Sequence, residues 1–90
     1  MKDVVLDGRQ MNTVEKTHDY LKMQLNLPEH YGRNLDALWD ELSTYNQPLS
    51  MHVTSCDTLE KELGDYGLKL MALFEEIGMY NKAIMVKFER

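Results

Sequence analysis

Two aspartates that lie four residues apart carry the clearest chemical signal in this chain of 90 residues. On a helix, Asp36 and Asp40 would lie side by side, where like charges cost roughly 0.2–0.5 kcal/mol. Such a pair can act as general acid and base, ligate a metal ion, or bind a basic partner. It can also be an ordinary solvated helix face, since the helix dipole favours Asp36 in the first turn.

Catalysis or metal binding would need further groups near this pair. His30 could join the aspartates in either role, but the chain has no nucleophile motif and no glycine-rich phosphate loop. His52 and Cys56 are four residues apart, yet they span a strand end and a loop, and zinc sites usually need more such ligands. We therefore expect a protein that is not an enzyme and that needs no metal or other cofactor.

The charge balance favours a basic protein as the partner. The chain has 10 basic and 15 acidic residues, a formal net charge of -5, and nucleic-acid binding needs a basic patch instead. Cys56 is the only cysteine, so no internal disulfide can form. The apolar run Val4–Leu6 is too short for a signal peptide, and no stretch approaches the roughly 20 apolar residues of a membrane span. We expect a cytoplasmic protein with no membrane or nucleic-acid partner.

The first half of the chain has the pattern of one strand and two helices. Val4–Leu6 is the predicted strand, and Asn12 with Glu15 has the spacing of a capping box for a helix that ends before Pro28. At helical spacing, that helix carries Val14, His18, Leu21 and Leu25. Asn34 is a good N-cap for the second helix, which should turn one apolar face to the core. That face consists of Leu35, Leu38, Trp39 and Leu42.

A strand and a short helix are predicted next. Leu49–Val53 alternates apolar and polar residues, as a strand with one buried face does. Asp57 and Glu60 have the spacing of another capping box. We expect the short helix that follows to end in a break bracketed by Gly64 and Gly67.

The last segments complete an α/β pattern. A helix is expected to end near Gly78, and the continuous apolar run Ala83–Val86 is typical of a strand buried on both faces. The order is strand, two helices, strand, two helices, strand. Long helical connections join parallel strands, so we predict a three-stranded parallel sheet packed with four helices, in a single domain spanning residues 1–90.

The segment around the two aspartates resembles the barstar family, small bacterial inhibitors of secreted guanyl-specific ribonucleases such as barnase. The resemblance extends from Leu27 to Leu42, and the order of strands and helices agrees along nearly the whole chain. Its most specific part is Tyr31-Gly32-Arg33-Asn34-Leu35-Asp36-Ala37-Leu38-Trp39-Asp40. The fold that the resemblance implies is therefore barstar-like.

The resemblance also implies a mechanism and a partner. The partner would be a small basic secreted ribonuclease, bound 1:1 by a protein that is a monomer when free. Asp40 would occupy the enzyme's phosphate site, Asp36 would contact a basic group at its edge, and Glu76 would add a further acidic contact. The implied partner-binding residues are His30, Gly32, Asn34, Leu35, Asp36, Trp39, Asp40, Ser43, Thr44, Tyr45 and Glu76.

Three departures from the family pattern affect the rim of this surface. His30 replaces a tyrosine that packs on the enzyme, which reduces stacking area and introduces a side chain that changes charge near neutral pH. Arg33 replaces an acidic residue and would face a basic enzyme unfavourably. The loop after Ser43–Tyr45 is one residue shorter before Pro48. The alternative is a barstar-like module that binds another basic protein without inhibiting a ribonuclease.

Overall fold

Three parallel strands form the sheet in the computed structural model, which describes residues 1–90. They are β1 (Lys2–Asp7), β2 (Leu49–Thr54) and β3 (Ile84–Phe88), and β2 lies between the other two. All neighbouring strands run parallel, which confirms the predicted three-stranded parallel sheet.

Four helices connect the strands in the predicted order. They are α1 (Val14–Leu25), α2 (Leu35–Ser43), α3 (Cys56–Leu63) and α4 (Asp65–Tyr80). A single 3-10 turn, Gly8–Gln10, follows β1. No helix has the length and apolar character needed to cross a lipid bilayer. The fold is therefore α/β with four helices, as predicted.

One face of the sheet is buried and the other is largely open. In register across the strands, Val4 pairs with Met51 and Met51 with Val86; Val4 and Met51 are buried. On the opposite face, Val5 is 55% and Met85 49% exposed. The prediction that the last strand is buried on both faces was wrong, because helices cover only one face and β3 lies at the sheet's edge.

The core lies between the buried sheet face and the helices. It is one cluster of 19 buried apolar residues, to which every helix and strand contributes. Phe74 of α4 and Leu38 of α2 are among its fully buried members, so the two helices that carry the predicted binding residues share the core. Burying a side chain of this size stabilises the fold by about 1.5–3 kcal/mol.

Two predicted capping boxes do not form. The N-cap of α1 is Thr13, one residue later than predicted, and its hydroxyl oxygen accepts a hydrogen bond from the Lys16 backbone N–H at 3.1 Å. The N-cap of α3 is Ser55, which has a left-handed φ of 52° and makes no side-chain cap. Asp57 therefore lies inside the first turn of α3 and does not cap it.

The glycines near α4 also differ from prediction. Gly64, at φ 61°, ends α3, but Gly67 lies within α4 and is buried. A Cβ at Gly67 would be 3.1 Å from the carbonyl oxygen of Leu59, so its small size serves the close approach of α3 and α4. Gly78 also lies within α4, whose C-cap is Asn81.

Candidate functional site

Asn34 fixes the start of α2. Its side-chain oxygen accepts a hydrogen bond from the Ala37 backbone N–H at 2.7 Å, and its Nδ2 donates to the Gly32 carbonyl at 3.3 Å. An N-cap of this kind stabilises a helix by about 1 kcal/mol. The predicted cap is confirmed, and it sets the orientation of the first turn, in which Asp36 lies.

Two hydroxyl groups close the other end of α2. Thr44 donates from Oγ1 to the main-chain carbonyl of Asp40 at 2.8 Å, and Ser43 donates from Oγ to the same oxygen at 3.3 Å. Both bonds satisfy a carbonyl that would otherwise lack a helical partner. Thr44 is exposed, whereas Ser43 is half-buried.

Asn81 joins the end of α2 to the end of α4. Its Nδ2 donates to the main-chain carbonyls of Leu42 and Tyr45, both at 2.8 Å, while its Oδ1 accepts from the Ala83 backbone N–H at 2.9 Å. Tyr45 is half-buried against the core. The two helices are therefore held together by side-chain hydrogen bonds to the main chain as well as by packing.

The apolar face of α2 is graded rather than uniformly buried. Leu38 and Leu42 are fully buried, as predicted, but Leu35 and Trp39 are only half-buried at the edge of the core. Trp39 packs against the ring of Tyr80, with centroids 5.4 Å apart and an angle of 49° between the ring planes. The predicted apolar face of α2 is confirmed, since Leu35 and Trp39 also pack against the core, although both lie at its edge, where they line the border between α2 and α4.

The carboxylates of Asp36 and Asp40 are exposed and make no ion pair within the protein. Near Asp36, a shallow groove of about 290 Å³ separates α2 from α4. The groove is lined by Leu35, Asp36, Trp39, Lys69, Ala72, Leu73 and Glu76. The fold thus brings Glu76 of α4 into the same groove as Asp36, across about 40 residues of sequence.

A buried histidine anchors the loop that precedes α2. His18 of α1 is fully buried, with Nδ1 2.6 Å from the Tyr31 hydroxyl and Nε2 2.5 Å from the Tyr66 hydroxyl. A neutral imidazole has one donor and one acceptor nitrogen, so one tyrosine donates to the ring and the other accepts from it. Burial lowers the pKa of His18 and raises the pKa values of Tyr31 and Tyr66. Burial therefore favours the neutral form of the ring, which links the loop to α1 and α4.

Arg33 turns towards α1. Its guanidinium lies 2.9 Å from Oδ1 of Asp19, so its charge is balanced inside the molecule. The contact is an ion pair, since no hydrogen bond of good geometry reaches that oxygen. Arg33 has a left-handed φ of 55°. Sequence analysis expected Arg33 to face a basic enzyme unfavourably, but that expectation did not include the ion pair with Asp19.

The remaining loop residues have distinct surroundings. His30 is exposed and forms no ion pair. Gly32 is also exposed, and a Cβ there would be 3.1 Å from the Cβ of Ala37, so its small size lets the loop approach α2 closely. A structural role thus accounts for this glycine without any partner.

Comparison with known proteins identifies the family. A family model described as "Barstar (barnase inhibitor)" matches residues 1–89. The chain belongs to the barstar family. It is also 36% identical over 77 residues to a protein of Bacillus subtilis (strain 168) named "Putative ribonuclease inhibitor YrdF", an alignment that covers 84% of this chain and 85% of the relative. Membership of the barstar family places the chain among inhibitor proteins and not in a family of enzymes.

Two residues at the α2–α4 groove were not predicted from the sequence. Lys69 lies in the α2–α4 groove with Asp36 and Glu76, and the ring of Tyr80 packs at a tilt against Trp39 while remaining 66% exposed. Both lie on α4, and no spacing rule relates α4 to α2. The amphipathic pattern of α4 indicates that Lys69 is exposed but not which helix it faces.

The groups considered for metal binding are dispersed. Nowhere do three or more His, Cys, Asp or Glu side chains come together as a potential metal site. Cys56 is buried and its thiol donates to the Val53 carbonyl at 3.4 Å, while His52 lies 3.6 Å from Glu89 on the open face of the sheet. The histidine and the cysteine thus belong to separate surroundings.

Proposed function

We propose that this protein inhibits a small, basic, secreted guanyl-specific ribonuclease of the barnase type, acting in the cytoplasm as a monomer that binds the enzyme 1:1. The observation that carries this proposal is the exposure of two unpaired carboxylates, Asp36 and Asp40, on a helix held at both ends. Membership of the barstar family and the name of the Bacillus subtilis relative support it.

The proposed inhibition works by imitation of the substrate's phosphate. Ribonucleases bind phosphate with basic side chains, and a carboxylate can accept the same charge-assisted hydrogen bonds. Asp40 is the proposed occupant of the phosphate site, and Asp36 binds a second basic group at its edge. Because α2 is already ordered, little conformational entropy is lost when these carboxylates become fixed in the complex.

The other proposed contacts surround the two aspartates. Glu76 adds charge from the far side of the α2–α4 groove, and Trp39 supplies an aromatic surface beside it. Tyr45 and the hydroxyl residues at the end of α2 form the rim on the other side. The full set comprises His30, Gly32, Asn34, Leu35, Asp36, Trp39, Asp40, Ser43, Thr44, Tyr45 and Glu76.

A ribonuclease titration tests this proposal. The purified protein is added to a panel of small secreted ribonucleases, both basic guanyl-specific enzymes and unrelated ones, and RNA hydrolysis is followed. We expect activity of a guanyl-specific enzyme to fall linearly to zero at one equivalent. If no member of the panel loses activity, the protein is instead a barstar-like module for another basic protein.

A further inference from the structure

Lys69 is the one cation in a groove that is otherwise acidic and apolar. It lines the depression between α2 and α4 together with Asp36 and Glu76. Its side chain is exposed, and neither of these carboxylates nor any other lies within ion-pair distance of its ammonium group. The Lys69 ammonium group is thus solvated by water when the protein is free.

A partner that covers the groove removes this water. A buried ammonium group is costly unless a carboxylate or another acceptor bonds to it. In the proposed complex, Asp36 and Glu76 are already engaged by basic groups of the enzyme. The acceptor for Lys69 must therefore come from the partner.

We propose that the partner carries an acidic side chain opposite Lys69, at the rim of an otherwise basic cleft, and that Lys69 selects for partners with this carboxylate. The inference rests on the proposed function and adds a specificity determinant to it. A basic cleft without that carboxylate would meet an unpaired lysine and bind this protein more weakly, because like charges brought together at an interface are strongly unfavourable.

The rival explanation gives Lys69 a role within the protein alone. A lysine between two carboxylates reduces their mutual repulsion through space without touching the partner. In that case, replacing it by an acid would make the surface more negative and would speed association with a basic enzyme. The two explanations predict opposite effects of charge reversal.

Charge reversal with a matched control separates them. Lys69→Glu is compared with Lys16→Glu, since both lysines are exposed, lie near the start of a helix, and change the net charge equally; Lys16 is on α1 and does not line the groove. Lysine and glutamate have similar helix propensities, so we expect both variants to keep their helices.

The readout is the inhibition constant for a ribonuclease that the parent protein inhibits. We expect Lys69→Glu to inhibit at least about tenfold more weakly than Lys16→Glu. Equal or tighter inhibition by Lys69→Glu would overturn the inference. Failure of the parent to inhibit any enzyme would instead overturn the proposed function, so the two failures are distinguishable.

A complementary experiment locates the partner's carboxylate. Each acidic residue at the rim of the inhibited enzyme's cleft is replaced in turn by lysine, and each enzyme variant is titrated with the Lys69→Glu protein. One enzyme variant should regain inhibition by Lys69→Glu and lose inhibition by the parent. If none does, no carboxylate faces Lys69.

Discussion

The side-chain amide of Asn81 donates a hydrogen bond to the main-chain carbonyl of Leu42 at 2.8 Å. The bond connects the residue that ends α4 with the last turn of α2. With the second bond to Tyr45, it fixes the spacing of the two helices at one end of the groove. The relative positions of Asp40 and Glu76 depend on this spacing.

Replacing Asn81 by alanine should therefore destabilise the protein. Two half-buried carbonyls lose their donor, at a cost of about 1–3 kcal/mol in the free energy of unfolding. Urea denaturation measures this change. Asn46, which is exposed and makes no side-chain hydrogen bond, supplies the control substitution Asn46→Ala. Equal stability of the two variants would show that the Asn81 bonds do not hold the helices.

Removal of single carboxylates should affect inhibition unequally. Asp40→Ala is expected to cost about 2–5 kcal/mol of binding free energy, the range typical of truncating one partner of a buried charge pair. Glu76→Ala should cost at most about tenfold in the inhibition constant. Glu75 points to the other side of α4, towards the groove beside Phe88, so Glu75→Ala is the control. An Asp40→Ala protein as inhibitory as the parent would refute the proposed anchor.

Added salt should change the association rate constant of the complex more than its dissociation rate constant. The Debye length falls from about 10 Å at 0.1 M salt to about 3 Å at 1 M, which screens long-range attraction between an acidic inhibitor and a basic enzyme. Stopped-flow mixing over this range should show an association rate that falls steeply with salt. An association rate independent of salt would argue against a basic partner.

Substitution of Arg33 by glycine should be tolerated. A left-handed φ costs a residue with a Cβ about 1–2 kcal/mol, and glycine avoids this cost. The exposed pair with Asp19 contributes at most about 1 kcal/mol, so we expect the stability of Arg33→Gly to lie within about 1 kcal/mol of the parent. A stability loss above about 2 kcal/mol would mean that the Arg33–Asp19 pair orders the loop.

His18 should make stability depend on pH. Its pKa is lowered by burial, so the unfolded chain takes up a proton at a higher pH than the folded protein does. The free energy of unfolding is thus expected to be highest above pH of about 6.5 and to decrease as the pH falls towards the lower pKa of the folded state. Thermal or urea unfolding between about pH 7.5 and 5 measures the slope.

The contribution of His18 can be isolated with two glutamine variants. His18→Gln should flatten this slope, while His30→Gln, at an exposed histidine, should retain it. If both variants keep the parent's slope, protonation of His18 is not what weakens the fold in acid.

Local chemistry explains what the sequence could predict. The Asn34 cap and the burial of Leu38 and Leu42 depend on residues within one or two helical turns of each other, so spacing alone indicates them. The order of strands and helices follows from such local patterns as well. These features position Asp36 and Asp40 on α2, although their role in binding remains a prediction.

Contacts between distant residues explain the misassigned capping box. Asp57 and Glu60 have the right spacing for one, yet both carboxylates bind the guanidinium of Arg90, at 2.6 and 2.9 Å. The pairing joins α3 to the end of the chain across 30 or more residues. No local pattern shows whether a carboxylate will cap its own helix or pair with a distant arginine.

The α2–α4 groove could not be predicted from the sequence for the same reason, because it depends on contacts between distant residues. Lys69 and Trp39 line the same groove only because α4 packs beside α2, a relation that depends on the whole core. Family resemblance indicated Glu76 but not Lys69. That Lys69 is a cation in an acidic groove can be recognised only once the positions of α2 and α4 are known.

The shortness of α2 has a further consequence. The helix has nine residues, below the roughly 12–15 that an isolated helix needs in water, and its ends depend on Asn34 and Asn81. A synthetic peptide of residues 34–44 would keep both aspartates but would be mostly unstructured. Most of its ordering entropy would then be lost at the moment of binding, so the inhibitory surface cannot be transplanted as a linear fragment and would need a scaffold that restrains both helix ends.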